Sequence, residues 1–179
     1  MFPDRINYIL ENLEQEAEKY ANISRETAIF LFTLVKLLKP QRILEIGTSN
    51  GYSSIWLSLG NPQAEIITIE KNPERTHKAL NNFKQASITN IELRQGNALE
   101  IIPSFNKLFD FVFIDGTKAE YITYLQLLKT KLSNKAVIIC DNAESHKEKI
   151  QTAKDYLKEQ QITYTILPLG SGLLVIGKG

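Results

Sequence analysis

The sequence predicts an α/β fold, a doubly wound, mostly parallel seven-stranded sheet with helices on both faces and a C-terminal antiparallel hairpin. Three observations carry that expectation. Short apolar runs alternate with helical stretches from residue 42 onward, the order that builds a parallel sheet. The run 109–115 reads as an apolar central strand, buried on both faces. Two last β-rich runs flank Gly170-Ser171-Gly172 and read as a hairpin.

Taken in order, Phe2, Ile6, Ile9, Leu13, Ala17 and Tyr20 recur at helical spacing, with Glu11, Glu14, Glu16 and Glu18 on the other face. Such a helix packs on the domain edge, or serves as a dimer contact or substrate lid. Ser24 is placed to cap a second helix, whose run 28–38 is apolar almost all round and should be buried. Strands follow at 42–46, 65–70, 90–95, 109–115, 135–141, 163–168 and 173–177. Helices are expected at 53–59, from Asn72-Pro73 to about Ala86, at 98–105, 119–132 and 147–160. No repeat or linker divides the chain, so one domain is expected over 1–179, with N-terminal helices to residue 39 and the sheet from residue 40.

Composition narrows the class. With 21 Lys+Arg against 20 Asp+Glu, the net charge of +1 supplies no long-range field for nucleic acid or an anionic membrane. Cys140 is the only cysteine, so no internal disulfide can form, which fits a reducing compartment. No apolar run approaches bilayer length, and the opening residues have no signal-like core. A cytoplasmic location is the expectation.

In open parallel sheets, ligands bind beyond the carboxyl ends of the strands. Five such ends carry a polar residue or glycine: Glu45/Gly47, Glu70, Gly96-Asn97, Asp115 and Asp141-Asn142. The first loop runs Gly47-Thr48-Ser49-Asn50-Gly51-Tyr52-Ser53. Its glycines let a ligand approach the backbone, although a strand-to-helix turn wants glycine anyway. Their GxxxG spacing lacks the third glycine of a dinucleotide fingerprint, which argues against a dehydrogenase. Glu45, at the end of a buried strand, needs a cationic or hydrogen-bonding partner. Glu70 is where a carboxylate can accept both hydroxyls of a ribose; its alternative role is to favour the next helix's N-terminus.

These motifs resemble those of class I S-adenosylmethionine-dependent methyltransferases with a Rossmann-like sheet. They run through Leu44 to Ser53, Ile69-Glu70, Gly96-Asn97-Ala98 and Phe109 to Asp115. More narrowly, the chain from Ser24 onward is similar to the catechol and caffeoyl-coenzyme A O-methyltransferases. The resemblance implies that Glu45, Gly47 and Ser53, within the loop that includes Thr48, hold the methionine end of S-adenosyl-L-methionine. Glu70 would hold the ribose, Asn97 and the Ala98 amide the adenine, and Asp115 would border the cofactor. The family usually has Asp where this chain has Asn97.

Asp115, Asp141 and Asn142 offer three hard oxygen donors, suited to Mg²⁺ or Ca²⁺. By resemblance they bind a divalent cation, Mg²⁺ first, that orients adjacent hydroxyls of a small acceptor. Lys118 would take the acceptor proton. The competing roles are a solvated loop lysine for Lys118 and a turn or cap for Asp141-Asn142. The segment 143–147 is short, although the family builds acceptor pocket there. His146 lies close enough in sequence to reach the site mouth, with a solvated loop histidine as its simpler role. The function implied is a cation-assisted O-methyltransferase of a catechol-like acceptor, with a homodimer allowed. The rivals are methylation of RNA or protein, which the near-neutral charge disfavours for RNA, and a nucleoside-binding module without activity.

Overall fold

Two adjacent strands whose connections leave the sheet's centre in opposite directions set this architecture. The computed structural model describes residues 2–177. Met1, Lys178 and Gly179, the outermost residues of the domain expected over 1–179, lie outside the described residues. Helices α1 (Asp4–Gln15), α2 (Ala17–Tyr20) and α3 (Arg25–Leu38) come first. Strand β1 (Arg42–Ile46), helix α4 (Tyr52–Gly60), β2 (Glu65–Glu70), α5 (Pro73–Gln85) and β3 (Ile91–Gln95) follow. Next are α6 (Ala98–Ile101), β4 (Phe109–Ile114), α7 (Tyr121–Leu128) and β5 (Leu132–Cys140). Helix α8 (Lys147–Glu159), β6 (Tyr164–Leu167) and β7 (Leu173–Gly177) complete the order.

The seven strands lie in the order β3-β2-β1-β4-β5-β7-β6. All neighbours from β3 through β5 run parallel, whereas β7 pairs antiparallel with both β5 and β6. The chain builds outward from β1 to β3 on one side and from β4 to β6 on the other. The switch point therefore falls between β1 and β4, where a crevice opens above the strand ends.

Alternation along the strands divides the core in two. Leu44, Ile46, Ile69, Val112 and Ile114 face α6, α7 and α8; Ile43, Ile66, Phe111 and Phe113 face α1, α3, α4 and α5. The caps are as expected. Ser24 Oγ accepts from Thr27 N, and Asn72 Oδ1 accepts from Glu74 N and Arg75 N, with Pro73 opening the helix.

Several expectations need correction. The first helical stripe breaks at Glu16, and Tyr20 leaves the apolar face. The 28–38 helix is not buried all round: Leu37 is 74% exposed and Ile29 44%, and only Thr27, Ala28, Leu31 and Val35 are buried. Helix α7 stops at Leu128 because Leu132 already opens β5. Strand β4 carries one charge, Asp110, which sits at its entry and accepts from Gln41 N and Arg42 N.

Candidate active site at the sheet's switch point

Gly47 defines the floor of the crevice. It leaves β1 at φ +99°, and its amide donates to Ile69 O. A Cβ there would lie 2.4 Å from Asp115 O, so the chain crosses this point only as glycine. Gly51 meets the same limit, its Cβ position being 2.5 Å from the Phe83 ring. The loop thereby folds flat over β1 and leaves a cavity of about 870 Å³ above the strand ends.

Glu70, Asn97, Ala98, Asp115, Lys118, Asp141 and Asn142 all line this cavity, as does Gly47. Glu70 ends β2 nearly buried. Its Oε2 accepts from Ser49 N and its Oε1 from Asn72 N, both at 2.8 Å, so two loops fix the carboxylate while lone pairs remain for a ligand. Asn97 Oδ1 caps α6 by accepting from Leu99 N at 3.0 Å. Beyond β4, Lys118 Nζ donates to Asp115 Oδ1 at 2.6 Å, with both side chains under one-fifth exposed. Burial raises Asp115 to about 6; Lys118 opposes that rise and Asp141 adds to it. Asp141 is also raised by burial, while Ser171 Oγ donates to its Oδ1 at 2.6 Å and holds it back.

Asn142 takes a left-handed φ of +66°, and its Oδ1 is buried without a hydrogen-bond partner. Among the described residues, no three of His, Cys, Asp and Glu are grouped to share a metal. The cavity instead gathers two carboxylates and an unsatisfied amide oxygen. That donor set fits a hard divalent cation, which would relieve both the carboxylate repulsion and the orphaned oxygen.

Three expected residues do not line the cavity. Glu45 is fully buried on the α4 face of the sheet, beside Ile43 in the alternation and paired in register with Thr68. Ser53 Oγ donates to Oε1 at 2.6 Å; Thr68 Oγ1, at 2.6 Å, and Ser54 Oγ both donate to Oε2. Thr48 Oγ1 in turn bonds to Thr68 Oγ1 at 2.6 Å. In this structure the chain itself supplies the hydrogen-bonding partners that Glu45 needs. Alternation was the missed signal: the side chain next to a strand's end points to a face, not out of the tip.

Burial raises Glu45 to about 7, restrained by the Ser53, Ser54 and Thr68 hydroxyls. The native state thus binds this proton more tightly than the unfolded chain. Stability falls as pH climbs from about 4.5 through about 7, because ionisation then costs more in the fold. Glu45→Gln should remove this dependence. Relative to the parent, the variant gains about 2–3 kcal/mol between pH 5 and pH 8, read from urea unfolding at each pH. A constant difference between the two proteins at both pH values would contradict the assignment.

Several lining residues were not anticipated. The turn of residues 20–24 after α2 reaches the cavity, held by Ser49 Oγ donating to Tyr20 O at 2.7 Å. Lys71, Arg75, Tyr124 and Ser171 also line it. Lys71 Nζ donates across the crevice to Thr117 Oγ1 at 3.3 Å. No local motif marks these positions, which only the topology brings together. His146, weighed as a solvated loop residue, is partly buried on the cavity wall.

A mostly parallel sheet with a ligand-sized cavity at its switch point defines a Rossmann-like domain of the methyltransferase type. The Podospora anserina methyltransferase, solved SAH-bound, has this fold, with a TM-score of 0.88 at 24% identity over 98% of this chain and 88% of that one. The profile of the O-methyltransferase family matches residues 5–178, and the chain belongs to that family. It is 35% identical over 123 residues to the catechol O-methyltransferase of Mycobacterium tuberculosis, a match covering 67% of this chain and 56% of that enzyme. The chain thus spans little more than half the length of this curated relative. The Bacillus cereus O-methyltransferase, solved in complex with SAH, aligns at 26% identity over 95% of this chain and 90% of its own, with a TM-score of 0.85.

Proposed function

We propose that this chain is an S-adenosyl-L-methionine-dependent O-methyltransferase of a small catechol-like acceptor, assisted by Mg²⁺. One observation carries the reading: Glu70, Asn97, Ala98, Asp115, Lys118, Asp141 and Asn142 share one cavity at the sheet's switch point. The SAH carried by the Bacillus cereus relative and the catechol activity in the Mycobacterium tuberculosis relative's name support it.

The cofactor supplies a methyl group on a sulfonium, transferred by in-line displacement, so the chain's task is chiefly to position donor and acceptor. Gly47 allows the close backbone approach. Glu70 accepts the ribose hydroxyls, its carboxylate already fixed by two amides. The Ala98 amide and Asn97 border the adenine end, where capping α6 occupies one lone pair of Asn97 Oδ1. Glu45, Thr48 and Ser53 act from behind the loop, holding its shape through the buried hydroxyl network.

Asp115, Asp141 and Asn142 would hold the Mg²⁺, which when bound lowers the pKa of an acceptor hydroxyl. Lys118 Nζ receives the acceptor proton. To do so it must first shed a proton and leave Asp115 Oδ1, the oxygen that it now grips. No helix among the described residues is long and apolar enough to cross a membrane.

Calorimetric titration with SAH tests the cofactor half. Binding in the micromolar range is expected, weakened about 100-fold in Glu70→Ala, where two charge-assisted ribose bonds are lost. Methylation of 3,4-dihydroxybenzoate in Mg²⁺, abolished by chelation, tests the other half. No heat at millimolar SAH would overturn the proposal.

A further inference from the structure

We infer that His146 orients the acceptor, donating from Nε2 to an acceptor oxygen beyond the reacting hydroxyl and so selecting which of two hydroxyls is methylated. This rests on the catechol-like acceptor proposed above.

The argument begins with a short relay. His146 sits on the cavity wall with Asp141, Asn142 and Ser171, just ahead of α8. Its amide donates to Asn142 O at 3.1 Å, so a tight turn fixes its backbone against the strand end. Asn142 Nδ2 donates to Ser145 Oγ at 3.1 Å, and Ser145 Oγ lies 3.0 Å from His146 Nδ1. An amide nitrogen only donates, so Ser145 Oγ accepts from Asn142 and keeps its own proton and one lone pair for the Nδ1 contact. The inferred arrangement gives that proton to Nδ1. A neutral imidazole accepting at Nδ1 carries its hydrogen on Nε2.

The relay holds the ring at Nδ1 and limits its rotation. Among the described residues, Nε2 has no hydrogen-bond partner, so its donor is free for a bound molecule. Lys118 lines the same cavity from the loop after β4, whereas His146 reaches it from the loop after β5. An acceptor reacting near Lys118 thus meets a second polar anchor on a different element. A ring bearing two hydroxyls and a further oxygen can then be held in one of its two orientations.

The test uses the full chain with S-adenosyl-L-methionine, Mg²⁺ and 3,4-dihydroxybenzoate. It reads both KM values and the ratio of 3-methoxy to 4-methoxy product. His146→Ala should raise the acceptor KM about tenfold and move the product ratio at least about threefold toward unity, leaving the cofactor KM unchanged. His146→Gln, whose amide nitrogen reaches the Nε2 position, should restore most of the ratio. His146→Asn, whose nitrogen ends near Nδ1, should not.

Nitrogen NMR of the wild-type ring supplies a readout independent of turnover, with the hydrogen expected on Nε2. A ring carrying it on Nδ1, an unchanged product ratio in His146→Ala, or an equal rise in both KM values overturns the inference alone. A wild-type chain that binds SAH but methylates no dihydroxy acceptor overturns the acceptor class, and this inference with it.

Discussion

Gly47→Ala is expected to abolish measurable SAH binding and to lower stability by about 2–4 kcal/mol. Two effects add at this residue. A left-handed φ of +99° is unfavourable for any residue with a Cβ, and that Cβ would sit 2.4 Å from Asp115 O. The oxygen belongs to backbone at the end of β4, which is paired along β1 and cannot retreat without disturbing the sheet. Relief must come from lifting the loop, and the loop carries Ser49, whose amide fixes the Glu70 carboxylate. One methyl group thus also disturbs Glu70, the carboxylate proposed to anchor the ribose. Urea unfolding and calorimetry read the two effects separately. A variant with parental midpoint and affinity would show that close approach at this point is not required.

Lys118→Met is expected to lower kcat by about 10²–10⁴ while SAH affinity stays within about threefold. The side chain keeps its apolar length and loses only the nitrogen, so cavity shape is preserved. Asp115 also loses the cation that opposes its rise through burial. Single-turnover methylation of 3,4-dihydroxybenzoate reads the loss of rate, and calorimetry with SAH reads the retained affinity. Retention of wild-type kcat would assign proton acceptance elsewhere.

Much of the architecture was legible because each element follows from short-range physics. Strand β2 runs over the expected residues, and Asn72-Pro73 starts α5 as a cap and first-turn proline must. The strand-end polar residues converge because parallel strands bring their carboxyl ends to one edge. Where sequence reasoning failed, a longer-range fact decided. The buried partners of Glu45 were not legible, because alternation and its register with Thr68 turn it onto α4. Leu37 stays exposed although its neighbours are apolar, because α3 packs only the face that holds Ala28, Leu31 and Val35. Tyr20, Arg75 and Ser171 reach the cavity from three distant segments, and no local pattern announces such a meeting.

The placing of β7 between β5 and β6 has a consequence for biosynthesis. Residues 164–167 emerge from the ribosome before residues 173–177, yet their partner in the sheet is the later strand. Until that partner is made, the earlier segment has nothing to pair with, and the open flank of β5 waits uncovered. The final third of the sheet therefore closes in one late event, when the returning strand slides into a slot whose two walls were synthesised first.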